Sequence, residues 1–341
     1  MYNPVMTTAY TWVPSPGHAY ADHPERPGRL ELLLPRLDSF GATRLEAQPA
    51  AREQIAAVHD LQLVSALERI CRTQAPAIID HAPTYVTQSS FDDALLAAGG
   101  AIGCTRAVLS GEARNGFAIV RPPGHHAETQ RPMGFCIFNN IAVAARAALA
   151  DGMERVMIVD YDAHHGNGTQ EVFLQDERVA FLSSHQQGIY PGTGAMEDAP
   201  HARQRIVNVP LNAFAGDRIF AEIMDRIVHP MAIAFRPQLM LVSAGFDAHW
   251  NDPITSLGLT TAGFFQISKK LVEMAEEFCA GRIVFVLEGG YDPLNVANGA
   301  AAVFAALAGA QSGPAADDAF PQREPPQSSR LDDVIKWHRF Q

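Results

Sequence analysis

The stretch Val156-Met157-Ile158-Val159-Asp160-Tyr161-Asp162-Ala163-His164 decides how this chain is read. Its first four residues are a short apolar run with β-branched side chains, which reads as a buried strand. If the extended conformation continues, side chains alternate, and Asp160, Asp162 and His164 point the same way. Two carboxylates and an imidazole at a strand end make a divalent-metal half-site. A purely structural polar cluster is the competing reading. It needs several buried charges paired elsewhere, at a high desolvation cost.

The same grammar recurs along the chain. Apolar runs predict strands at 116–120, 156–160, 179–183, 206–209, 239–244 and 283–287. Amphipathic stretches predict helices at 29–37, 52–58, 61–70, 91–109, 140–150, 169–174, 219–235, 261–279 and 295–308. This rhythm implies an α/β fold, a mostly parallel sheet with helices on both faces. Ligands of such sheets sit beyond the carboxyl ends of the strands. Four unusual polar clusters fall there: Arg121-Pro122-Pro123-Gly124-His125-His126, the Asp/His cluster, Ser243-Ala244-Gly245-Phe246-Asp247 and Glu288-Gly289-Gly290-Tyr291-Asp292.

Composition sets the outer limits. The 341 residues are 47% hydrophobic and 18% charged, with a net charge of −11. That balance speaks against direct nucleic-acid binding, which needs a basic face. A basic peptide or polyamine substrate remains compatible with a negative field. The four cysteines are widely spaced and contain no CxxC, which suggests reduced thiols. No run is long and apolar enough to span a membrane, and the N-terminus lacks a signal pattern, so a cytoplasmic location is expected. The stretch 311–330 is rich in Pro, Ser, Gln and Asp, a flexible or surface-wrapped tail. A short docked helix is expected over 331–338. The predicted division is a catalytic domain over 1–310 and a tail over 311–341.

The clusters suggest a chemistry. Asp162, His164 and Asp247 form an O/N/O ligand set that leaves a position open for water and substrate, the mark of a catalytic zinc site. The same set tolerates iron(II). Of the adjacent histidines His125 and His126, one can serve as general base while the other holds or donates a proton. Asp160 and Asn167 are available to orient the two rings. A capped turn with two surface histidines is the plainer reading. Tyr291, after Gly289-Gly290, can hydrogen-bond a developing oxyanion, or simply pack on its loop. Gly134-Phe135 and Tyr190 offer surfaces for a narrow aliphatic slot, or ordinary core packing.

With these motifs in view, the sequence resembles the histone deacetylase superfamily, including bacterial deacetylases and acetylpolyamine amidohydrolases. The resemblance runs from about His18 to Ala308. It is carried by His23-Pro24-Glu25-Arg26-Pro27-Gly28-Arg29-Leu30, residues 121–127, Gly134-Phe135-Cys136-Ile137-Phe138-Asn139-Asn140, residues 160–170, Tyr190-Pro191-Gly192-Thr193-Gly194, residues 243–249 with Asp252-Pro253, and residues 287–292. Asn167 and the Arg26-Pro27 form resemble the class II branch.

The resemblance implies a single-domain arginase/deacetylase α/β fold with a central eight-stranded, mostly parallel sheet. It implies a zinc-dependent amidohydrolase in which water on the zinc attacks an acetyl-lysine-type amide. Asp162, His164 and Asp247 would ligate zinc. His125 pairs with Asp160 and His126 with Asn167, and Tyr291 polarises the acetyl carbonyl. Phe135 and Tyr190 wall the acyl-lysine slot, and Gly134 offers a carbonyl to the substrate amide. Arg29 lines an inner acetate channel. A structural potassium would use main-chain oxygens of Asp160, Asp162, His164 and Ser184 and side-chain oxygens of Asp160 and Ser183. A second monovalent site is implied near Phe173, Asp176 and Val179.

Two positions depart from the pattern. Pro83 stands where many members place an aspartate that grips the substrate backbone, with Asp80 as a candidate replacement. Ile254 stands where polyamine-selective relatives place an acid. The expected partner is therefore an acetylated peptide, polyamine or small molecule, with the choice open. An arginase-like binuclear hydrolase would need carboxylates near Gly166 and His249, which are absent. A non-catalytic acyl-lysine binding protein is the remaining alternative.

Overall fold

The computed structural model describes residues 7–340; the outermost parts of the predicted domain and tail, residues 1–6 and 341, lie outside the described residues. Strands are β1 (Thr8–Val13), β2 (Thr43–Leu45), β3 (Ala77–Ile78), β4 (Tyr85–Val86), β5 (Asn115–Val120), β6 (Val156–Asp160), β7 (Val179–Gln186), β8 (Ile206–Leu211), β9 (Leu239–Ala244) and β10 (Ile283–Leu287). One eight-stranded sheet has the order β2-β1-β5-β10-β9-β6-β7-β8, and β3 and β4 form a separate antiparallel pair. Every pairing in the large sheet is parallel, so it exceeds the expected "mostly".

The central strands β5, β6, β9 and β10 are buried along their whole length, which is why they read as unbroken apolar runs. Alternate residues feed two cores. Phe117, Ile119, Met157 and Val159 face one, and Ala118, Val120 and Ile158 face the other. Ladder pairing of β6 stops at Asp160, yet Tyr161 and Ala163 continue the Met157–Val159 face into the same core. The alternation therefore outlives the strand, and Asp160, Asp162 and His164 are left on the opposite side. Because β5, β10, β9 and β6 are neighbours, their carboxyl ends deliver the four polar clusters to one place.

Several elements differ from expectation. Strands β1 and β2 add to the sheet beside β5 and were not foreseen. The helix expected over 29–37 is two 3₁₀ segments, Pro27–Leu30 and Leu34–Phe40. Pro27 and Pro35 lack the amide an α-helix would need there. The helix expected over 219–235 is Asp217–Ile223, a π-helical turn Met224–Val228, and His229–Phe235. Pro230 cannot donate to the ladder, and the widened turn accommodates it. The other helices lie within a few residues of their expected bounds.

The C-terminal segment is tied down by specific contacts. Asp318 Oδ2 accepts from His249 Nε2 (3.0 Å) and Thr261 N (2.8 Å), and Phe320 packs near Trp250 and Phe214. Glu324 accepts from the amides of Gly216, Arg218 and Ile219, capping the helix Asp217–Ile223. A helix over Ser328–His338 buries Leu331 and Val334 in the core. Among the described residues no helix is long and apolar enough to cross a membrane.

Candidate active site

Asp162, His164 and Asp247 come together with their ligand atoms all within 4.8 Å of one another, and all three residues are buried. His164 Nδ1 lies 3.0 Å from Asp247 Oδ2 and 3.3 Å from Asp162 Oδ1. Burial alone would depress the His164 imidazole, but the two carboxylates raise it to about 10. Backbone amides hold the carboxylate oxygens in place. Ala163 N donates to Asp247 Oδ1 (2.9 Å), His164 N to Asp162 Oδ1 (2.9 Å) and Gly289 N to Asp162 Oδ2 (2.8 Å). The chain crowds here: a Cβ on Gly289 would stand 2.4 Å from Asp247 Oδ2 and 2.6 Å from Asp162 Oδ2. Two buried carboxylates converging on one imidazole, with no Arg or Lys paired to either among the described residues, fit a divalent cation.

The tandem histidines stand beside this trio. Gly124 permits their turn, since a Cβ there would meet Asn140 N at 2.4 Å. His125 Nδ1 lies 2.9 Å from Asp160 Oδ2, and His126 Nδ1 lies 2.8 Å from Asn167 Oδ1. Each acceptor places a proton on Nδ1 and leaves Nε2 unprotonated in the neutral ring. Burial first, then the nearby His125 and His164, holds the His126 imidazole well below its usual value. The Tyr291 phenol is pushed well above its usual value by burial and then by Asp247 and Asp162, so it remains a hydrogen-bond donor.

A cavity of about 220 Å³ leads to these groups. Ala82, Pro83, Gly134, Phe135, Tyr190 and Ile254 line it, with His126, His164 and Tyr291 deeper in the same lining. Phe135 meets Tyr291 edge-on at 5.8 Å, and Tyr190 meets His126 at 5.1 Å. Arg29 lies outside this lining, its guanidinium 5.5 Å from the Tyr291 ring. It donates to Glu288 O, while its Nε and Nη1 are buried with no partner among the described residues. Asp160 and Ser183 are register partners on β6 and β7, and Ser184 Oγ donates to Asp160 O.

The structure corrects two readings. Asp80 does not present a carboxylate to the cavity: Gly134 N donates to its Oδ2 (3.2 Å), and Thr84 Oγ1 donates to the same oxygen (3.4 Å). Thr84 Oγ1 in turn accepts from Phe135 N (2.9 Å). Gly134 and Phe135 both have left-handed backbones, φ +58° and +68°, so these side chains hold a strained turn that carries a cavity wall. Asp80→Ala is expected to raise KM about tenfold, ~1.4 kcal/mol for the two part-buried hydrogen bonds lost from Gly134 N and Thr84 Oγ1. Asp80→Asn, which keeps an acceptor, is expected to stay near wild type; equal KM values for wild type and alanine variant in steady-state assays would exclude this role. The second correction concerns the implied second cation site. The carbonyls of Phe173, Asp176 and Val179 are taken by Arg205 Nη1 at 2.8, 3.0 and 3.0 Å. A guanidinium fills that cage.

Sequence placed Glu288 and Asp252 near the site but did not give their roles. Glu288 accepts from Gly124 N (2.7 Å), His125 N (3.1 Å) and Ser243 Oγ (3.1 Å), and so holds the histidine turn. His125, Cys136 and Glu288 also have ligand atoms within 4.8 Å. Glu288 is already saturated, however, and burial followed by the Glu288 charge pushes the Cys136 thiol well up. Asp252 accepts from Tyr291 N (3.0 Å) and Ile254 N (2.9 Å), linking the tyrosine to the cavity rim. At the positions where a binuclear site would need carboxylates, Gly166 abuts Asp160 and His249 is bonded to Asp318.

Fold and site together point to a hydrolase class: a parallel α/β sheet whose carboxyl edge presents a carboxylate–imidazole cluster able to hold a metal beside oriented imidazoles. Comparison with known proteins narrows the class to a family. The histone deacetylase domain model matches residues 23–307, and the chain belongs to that family. A probable deacetylase of Archaeoglobus fulgidus is 44% identical over 277 residues, covering 79% of this chain and 76% of the relative. A histone deacetylase-like amidohydrolase of Pseudomonas aeruginosa is 39% identical over 310 residues, covering 88% and 80%. Histone deacetylase 14, chloroplastic, of Arabidopsis thaliana is 38% identical over 318 residues, covering 87% and 75%. The crystal structure of the HDA15 HD domain superposes with a TM-score of 0.87 at 32% identity, covering 98% of this chain and 94% of that one.

Proposed function

We propose that this protein is a zinc-dependent deacetylase that hydrolyses acetyl-lysine-type amides to acetate and amine. One observation carries the reading: a narrow cavity with two aromatic walls reaches His126, His164 and Tyr291, and His164 is clustered with the buried Asp162 and Asp247. Those three residues would hold zinc, or iron(II), which when bound supplies Lewis-acid polarisation of the amide carbonyl and acidifies coordinated water.

The chain's own groups do the rest. Phe135 and Tyr190 flank the lysine methylenes and exclude water, and the Gly134 carbonyl accepts from the substrate amide. His126 Nε2 accepts the proton of the attacking water and passes it to the leaving amine. His125, paired with Asp160, holds positive charge beside it. Tyr291 donates to the carbonyl oxygen as that oxygen gains charge. The unpartnered Arg29 nitrogens suit the acetate product. A structural potassium would sit among the main-chain oxygens of Asp160, Asp162, His164 and Ser184 and the side-chain oxygens of Asp160 and Ser183. We assign catalysis to residues 1–310 and a strapping role to residues 311–341.

The pocket rim supports small or weakly gripped substrates. Pro83 has no carboxylate, its carbonyl accepts from His23 Nε2 (3.2 Å), and Asp80 is engaged inward. Ile254 places an apolar group where a distant ammonium would need an acid. The test is acetate release by the zinc-loaded protein from acetyl-lysine peptides, acetylputrescine, acetylspermidine and free acetyl-lysine, each with a chelator control. Chelator-sensitive turnover of any member supports the reading. No turnover on any member, with zinc content verified, overturns it in favour of an acyl-lysine binding protein.

A further inference from the structure

Asn167 is the acceptor that sets the His126 tautomer, but an amide is ambiguous in a way a carboxylate is not. Its oxygen and nitrogen occupy nearly the same shape, and a half-turn about the last bond exchanges them. With Oδ1 toward His126 Nδ1, the ring carries its proton on Nδ1, and Nε2 is free to accept another. With the amide reversed, Nδ2 faces Nδ1, the ring proton moves to Nε2, and the base is blocked. Something must therefore hold the amide one way round.

The neighbours of Asn167 Nδ2 are Glu128 Oε1 at 2.8 Å, Met133 Sδ at 3.4 Å and His126 O at 3.5 Å. The thioether is a weak acceptor and the carbonyl is at the limit of bonding. Only the carboxylate is close and strong. Reversal would set Oδ1 against Glu128 Oε1, two acceptors at hydrogen-bond distance with no proton between them.

Glu128 is itself fixed. Arg131 Nε and Nη2 donate to its Oε2 at 3.2 and 3.0 Å. Its backbone is pinned by a buried imidazole: His59 Nε2 accepts from Asn139 N (2.9 Å), so His59 Nδ1 donates to Glu128 O (3.0 Å). The carboxylate thus reaches the amide from a held backbone two residues beyond His126.

We infer that Glu128 is a positioning residue for this reaction: acting through the Asn167 amide, it selects the Nδ1-protonated tautomer of His126. The inference rests on the deacetylase reading for its kinetic consequence, but the tautomer itself is a property of the free protein. It makes a prediction that a merely structural role does not. If an aspartate replaced Asn167, both of its oxygens would be acceptors, nothing would need orienting, and Glu128 would become a repulsive neighbour.

Four variants and one spectroscopic measurement test this. In the wild-type background, E128A is expected to lower kcat roughly 10- to 100-fold with KM little changed, and E128Q, whose amide oxygen still accepts from Asn167, to restore most of it. In the N167D background the sign reverses: adding E128Q raises kcat, because an amide then donates to the new carboxylate. The ¹⁵N spectrum of histidine-labelled, metal-free protein is expected to show His126 protonated at Nδ1 in wild type and E128Q, and a mixed or Nε2-protonated ring in E128A. Unchanged His126 nitrogen shifts in E128A, or a kcat within twofold of wild type, overturns the inference. If wild type shows no chelator-sensitive acetate release, the proposed function falls, and the ¹⁵N shifts alone decide the role of Glu128.

Discussion

A protein carrying Gly289→Ala is expected to bind no stoichiometric metal and to lose nearly all deacetylase activity while remaining folded. The added methyl would sit 2.4 Å from Asp247 Oδ2 and 2.6 Å from Asp162 Oδ2, closer than carbon and oxygen can approach without a clash. Neither carboxylate can retreat cheaply. Asp247 Oδ1 is held by Ala163 N, and Asp162 Oδ1 by His164 N. The backbone itself accepts alanine, because the left-handed conformation belongs to Gly290 (φ +114°) and not to Gly289. The damage is therefore local to the ligand set. Bound metal stabilises the native state by mass action, about 4 kcal/mol at a thousandfold excess over Kd. Chelation should lower the melting temperature of wild type and leave that of the variant unchanged. A variant that retains one metal per chain by elemental analysis would show that these three residues do not hold it.

The shared orientation of Asp160, Asp162 and His164 was legible in sequence because it depends on local alternation. Tyr161 and Ala163 are apolar and enter the core, so Asp160, Asp162 and His164 must face the other way. The six central and neighbouring strands were legible because burial on both faces writes itself as continuous apolar runs. Strand β1 was not, since what places Thr8–Val13 in the sheet is its parallel pairing with β5, over a hundred residues away. The 3₁₀ segments and the π turn follow from Pro27, Pro35 and Pro230, whose missing amides a periodicity reading passes over.

The less visible parts of the site are those made by distant partners. Asp80 looked free to face a substrate, and only the left-handed turn at Gly134-Phe135 shows why it turns inward. Glu128 stands in a loop directly after the quoted histidine segment, yet its meaning comes from Asn167, at the start of the helix Asn167–Phe173. Arg205 occupies carbonyls that resemblance assigns to a cation, because one guanidinium nitrogen shares its two N–H groups among three oxygens. The tail reads as polar and proline-rich, but Asp318, Glu324, Leu331 and Val334 each meet a specific partner. Composition records none of those pairings.

Tyr291→Phe is expected to lower kcat by roughly 10²- to 10³-fold, the usual cost of removing one preorganised oxyanion donor. Metal content and KM should change little. The substitution keeps what else the side chain does. A phenylalanine ring still meets Phe135 edge-on and still lies under the Arg29 guanidinium, and Tyr291 N still donates to Asp252 Oδ2. Only the hydroxyl is lost. Burial first, then Asp247 and Asp162, raises the phenol well above its ordinary value, so at neutral pH it donates a hydrogen bond and cannot act as a base. Its contribution grows as the carbonyl oxygen gains charge, which places the loss in kcat and not in binding. The measurement is kcat and KM on one acetylated substrate for wild type and variant at matched metal occupancy. A fall in kcat with intact metal separates this effect from Gly289→Ala, where both are lost together. Near-full turnover by the phenylalanine variant would show that another donor holds the oxyanion and that Tyr291 is a packing residue.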